Sequence, residues 1–126
     1  MGACWFEDKA FGNGVEKAFK TATSQALWDY GHAGYTGTIA EKGSYAVVKT
    51  PPRYSSDTLL SWVINPERAP DKYKEWARKA HKISDDKWGD CVAFKAPPAE
   101  TKAYKESHGL KGKHGDLWIF CGWASS

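Results

Sequence analysis

The run LWIFCGWA, residues 117–124, constrains this chain more than any other stretch. It carries no charge and is far too short to cross a bilayer. It also lacks the polar alternation of a strand with one wet face. An apolar run of this length reads as a strand placed centrally or covered on both faces. The rest of the chain must supply its neighbours and its cover. A chain of 126 residues fits one domain, residues 1–126, large enough for a core without disulfide or metal props.

Two further strands are legible. ACWFEDKAF is a first strand in which Cys4, Phe6 and Ala10 share a face, and CVAFKA is another. GNGVEKAFKTATSQALWDYGH reads as an amphipathic helix. Val15, Phe19, Ala22, Ala26 and Tyr30 line one side, Ala18 and Leu27 widen it, Asn13 and Glu16 form a variant capping box, and Gly31 ends it. The segment YTGTIAEKGSYAVVKT suggests a hairpin turning at Lys42–Gly43. SSDTLLSWVI is a short helix capped by Ser55 or Ser56 and stopped at Asn65–Pro66. From Pro70 a second amphipathic helix carries Tyr73, Trp76, Ala77, Ala80 and Ile83 on one face. Residues 97–115, led by prolines and rich in lysine and glycine, read as a long loop. No internal repeat is evident. The expected architecture is α+β: an antiparallel sheet with helices packed on one face, a ferredoxin-like split βαβ with an extra C-terminal strand.

Composition narrows the function classes. Seven Trp, six Tyr and five Phe exceed what one small core needs, so some should line a binding surface or an interface between copies, and a homodimer is compatible with them. A net charge of +3 permits an anionic partner but falls short of a dedicated nucleic-acid binder, and the preference for lysine over arginine weakens that class further. No segment is of membrane-spanning length, so no membrane partner is expected. The three cysteines, Cys4, Cys91 and Cys121, form no CxxC pair. They read as free thiols in apolar strands, with a cytoplasmic location, no structural zinc and no cofactor.

The candidate site starts from YGHAGYTGTIAEKGSY, residues 30–45. Gly31, Gly34 and Gly37 allow close backbone approach. His32, Tyr35, Thr36 and Thr38 offer donors, and Lys42 adds charge. The turn SDDKWGD contributes Lys87 to pair with charge and Trp88 to stack, and the basic loop HGLKGKHG contributes Lys111 and Lys113. Together they fit a nucleotide-like anionic small molecule, bound without catalysis. Against this stands the position of the corner after a helix C-terminus, whose dipole favours cations. Scaffold roles also explain much of it: glycine as C-cap, Thr and Tyr as strand residues. Two other classes are a protein-interaction inhibitor that covers a host protein with exposed aromatics, and a small enzyme acting on a nucleotide or phosphodiester through His32, Asp85 and Asp86.

The stretches HAGYTGTIAEK, DKWGD and FCGWAS resemble a group of small uncharacterised proteins from bacteriophages and bacteria. The resemblance implies a cytoplasmic, phage-type protein, for which interference with host defence by sequestering a nucleotide signal is an associated role. It implies no site residues.

Overall fold

A computed structural model describes residues 2–31 and 35–126. The apolar run falls in strand β4 (Asp116–Ser125), which is central and buried continuously from Leu117 to Gly122. Strand β1 (Ala3–Gly12) pairs antiparallel on one side of it and β3 (Cys91–Lys95) antiparallel on the other. The short β2 (Tyr45–Val47) adds parallel to β3, giving the order β1-β4-β3-β2.

Period-two alternation then divides the interior into two layers. Trp118, Phe120 and Ala124 of β4, with Phe6, Ala10, Cys91 and Ala93, pack under helix α1 (Val15–Tyr30). Leu117, Ile119 and Cys121, with Val92 and Phe94, pack under α2 (Ser56–Ile64) and α3 (Lys74–Ser84). Burying a side chain such as Phe94 or Phe120 contributes about 2–3 kcal/mol each.

The α+β class holds, with three corrections to its detail. Helices cover both faces, as a strand apolar on both sides requires. The sheet is mixed. Helices α2 and α3 also separate β2 from β3, so the element order is not βαββαβ. What survives is a split crossover: α1 carries the chain from β1 to β2, two parallel strands with β4 and β3 between them.

Helix α1 buries Ala18, Phe19, Ala22 and Ala26, as its periodicity predicts. Its last turn holds no buried residue, and Tyr30 is 64% exposed. The Asn13–Glu16 capping box does not form. Gly14 is the N-cap, with no side-chain bond, because β1 turns directly into the helix. The approach is so tight that a Cβ on Gly12 would lie 2.6 Å from the Ala18 nitrogen. Ser55 caps α2, its hydroxyl accepting from the Thr58 amide at 3.2 Å, and Asn65 ends it.

The Lys42–Gly43 hairpin is absent. Ile39, fully buried in the α1 layer, draws residues Ile39–Glu41 into a 3-10 turn, and only three residues then pair as β2. The expected loop 97–115 is also partly helical: α4 spans Pro98–Ser107. Its two prolines start the helix rather than break it, since Pro98 occupies a first-turn position where no amide bond is lost.

Candidate functional site

The corner after α1 closes on itself. Gly37 lies at φ +72, and its amide donates to the Ser125 carbonyl at 2.8 Å. A Cβ there would come within 2.9 Å of the Cys4 Cβ, so only glycine fits. Thr36 and Thr38 are thereby held on either side. The Thr36 amide and hydroxyl donate to Glu41 Oε2 at 3.1 and 2.8 Å. Thr38 Oγ1 lies 2.8 Å from the Thr36 hydroxyl and accepts from the Ala40 amide at 3.2 Å. Burial pushes the Glu41 carboxyl up, but the Thr36 amide, the Thr36 hydroxyl and the Tyr35 amide outweigh it and leave the pKa below its ordinary value.

Lys42 is only 5% exposed. Its ammonium donates to the carbonyls of Asp86 and Gly89 at 2.9 and 3.0 Å, stitching the corner to the turn before β3. Burial lowers its pKa, against the raising influence of Cys91, Asp86 and Asp90. The expected ligand-pairing charge is therefore a buried structural bolt. Asp86 is spent on the same turn, accepting from the Trp88 amide at 2.9 Å.

What remains exposed here is an aromatic pair. Tyr35, at φ +54, meets Trp88 edge-on with ring centroids 6.2 Å apart. Lys87 lies 5.3 Å from the Trp88 ring and 3.4 Å from the Gly2 carbonyl. Trp88 is 62% exposed, a surface patch rather than the wall of a hollow. Lys111 and Lys113 are exposed in the turn after α4, and no described contact joins them to the pair. His32 lies outside the described residues. Burial pushes the Cys91 thiol up to about 12 and raises Cys121 too, so neither is poised as a nucleophile, while Cys4 is exposed. Among the described residues no cluster of three His, Cys, Asp or Glu could hold a metal.

A different site opens at the carboxyl ends of the parallel strands β2 and β3. It is a groove of about 770 Å³. Both strands run into the same short pattern: Val47-Val48-Lys49-Thr50-Pro51-Pro52 and Ala93-Phe94-Lys95-Ala96-Pro97-Pro98. The two copies stand side by side in register, Val47 opposite Ala93, and Thr50 Oγ1 donates to the Lys95 carbonyl at 2.6 Å. The prolines, Val47 and Trp118 supply apolar walls. Lys49, Arg53, Lys95, Lys102 and Lys105 supply charge, against the lone carboxylate of Asp116. Asp116 engages Lys95 at 3.5 Å. Lys49, Arg53 and Lys102 have no ion pair or side-chain hydrogen bond among the described residues.

Three features mark this groove as built. The N-terminus of α4, capped at Pro97, adds the positive end of a helix dipole. Glu100 on that first turn accepts from the Ser56 amide at 2.8 Å and its hydroxyl at 2.5 Å, clamping α4 to α2. Arg53 sits at φ +71, a conformation costing about 1 kcal/mol or more that surrounding structure must sustain. On the Trp118 wall, the buried Nε1 has no acceptor among the described residues.

Sequence reasoning missed this groove because its cations come from segments far apart in the chain. The repeated Lys-X-Pro-Pro after two apolar strands was the available signal. Comparison with protein-family models, with curated proteins and with solved structures gives no match.

Proposed function

We propose that this chain is a non-catalytic binding protein for a nucleotide-like anionic small molecule, seated in the groove beyond β2 and β3. One observation carries this reading: cations that no partner among the described residues claims surround an apolar floor large enough for a nucleotide. Lys49, Arg53 and Lys102 would pair with phosphate, Arg53 in bidentate fashion. The ledge of Val47, Pro51 and Pro97 would receive a base. The lining favours holding over turnover, since Asp116 is engaged by Lys95 and the Thr50 and Thr101 hydroxyls are each committed to backbone groups. Sequestration of a host signal by a phage-type protein is the biological form of this reading.

Calorimetric titration with ATP, cyclic AMP and cyclic dinucleotides tests it. Micromolar affinity for at least one is expected, weakened about tenfold by Arg53→Ala. Absence of heat with all of them, or affinity indifferent to Arg53→Ala and Lys49→Ala, would count against it. A second reading, a protein-interaction inhibitor, draws on Trp28 and Tyr30, which are 86% and 64% exposed. It predicts a stoichiometric protein partner that is lost with Trp28→Ser.

A further inference from the structure

Among the described residues β1 is an edge strand, paired only with β4. Ser126 donates to the Gly2 carbonyl at 3.2 Å, which places the even-numbered residues of β1 in hydrogen-bonding register with β4. The antiparallel pattern then turns the amides and carbonyls of Ala3, Trp5, Glu7, Lys9 and Phe11 outward. None has a backbone partner among the described residues. The ladder runs unbroken from Ala3 to Gly12, with no proline and no bulge to blunt it. The opposite edge, β2, is only three residues long.

Beside this edge runs a groove of about 650 Å³. A strand added at ordinary spacing, about 4.8 Å from β1, would lie within it. Its two walls differ in chemistry. On the α1 side are the carboxylates of Asp8 and Asp29. Asp8 is half-buried with no cation beside it among the described residues, and burial raises its pKa. On the other side Trp5, Phe11, Tyr104 and Leu110 present apolar surface, with Glu7, which accepts from Trp5 Nε1, and Lys9 between Trp5 and Phe11 as two opposite charges. An added strand alternates its side chains between the walls, so it should be basic on one face and apolar on the other.

We propose that this edge is a docking site for an extended peptide segment of alternating basic and apolar residues, added to the sheet as a fifth strand. A second copy of the chain is a poor occupant. The two-fold antiparallel registers that overlap β1 with itself most fully, centred on Glu7 or Asp8, set that carboxylate opposite its own copy, like charge against like. The site is independent of the anion groove.

The test uses an alternating valine–lysine peptide, a block peptide of the same composition and an alternating valine–glutamate peptide. Titration and amide hydrogen exchange are read on the intact chain. The alternating basic peptide should bind at least about tenfold tighter than either control. It should protect the amides of Trp5, Glu7 and Lys9. N-methylation of one alternate set of its residues should abolish binding, and of the other set leave it. Asp8→Asn should weaken it severalfold, and Arg53→Ala should leave it unchanged. Equal binding of the alternating and block peptides, unprotected edge amides, or concentration-dependent dimerisation that shields the same amides would overturn the proposal.

Discussion

The corner at residues 35–42 and the groove beyond β2 and β3 share some materials, lysine beside threonine hydroxyls and a residue at positive φ, and they use them in opposite ways. In the corner Thr36, Thr38, Glu41 and Lys42 all have internal partners: Thr36 and Thr38 serve Glu41 and the 3-10 turn, and Lys42 serves two carbonyls. In the groove Lys49, Arg53 and Lys102 are left facing solvent, and the backbone at Arg53 is held in an unfavourable conformation. Polar groups that satisfy one another stabilise a fold. Those left unsatisfied on a shaped apolar floor are available to something else. The difference lies in partners rather than in residue type.

The largest expected effect tests the corner. Lys42→Met removes the ammonium from two carbonyls, leaving that of Asp86 with the Gly89 amide alone, and should cost about 2 kcal/mol in urea denaturation, with nucleotide affinity unchanged. Lost affinity at preserved stability would reverse the comparison. Next comes Arg53→Gly. Affinity should fall about tenfold while stability stays level or rises by up to about 1 kcal/mol, because glycine tolerates the left-handed backbone. A fall in both would mean that Arg53 is structural.

Glu41→Gln should lower stability by about 1 kcal/mol near neutral pH. Its folded pKa lies below the ordinary 4.5, so the unfolded chain takes the proton first as pH falls. The contribution is complete above the unfolded value and disappears as pH drops through the folded one. Variant and parent should therefore converge in strong acid, measured by thermal unfolding across pH. Smallest is Trp88→Ala, which should change stability by less than about 0.5 kcal/mol because the ring is mostly in solvent. A larger loss would mean that the aromatic pair with Tyr35 braces the corner.

Much of the fold was legible in the sequence because its strongest signals are local. The apolar run of β4, the alanine-rich stripe of α1 and the Ser55 cap each report their own environment. The hairpin failed because Gly43 after Lys42 resembles a turn, whereas the burial of Ile39 and Lys42 is decided by α1 and by the distant Asp86 turn. The helix α4 was hidden by prolines whose meaning depends on whether they open or interrupt a helix. For the site, composition raised the question of anions, but residue type cannot tell a committed lysine from a free one. Lys42 and Lys49 look alike in sequence and differ only in what folds over them.

The position of β4 has a consequence for how the chain acquires its shape. It is the latest of the four strands in chain order, yet β1 joins the sheet only through it. A growing chain can form its helices early, but β1 has nothing to zip onto until that last apolar run emerges from the ribosome. Truncation within 116–125 should thus abolish assembly as a whole rather than fray one end.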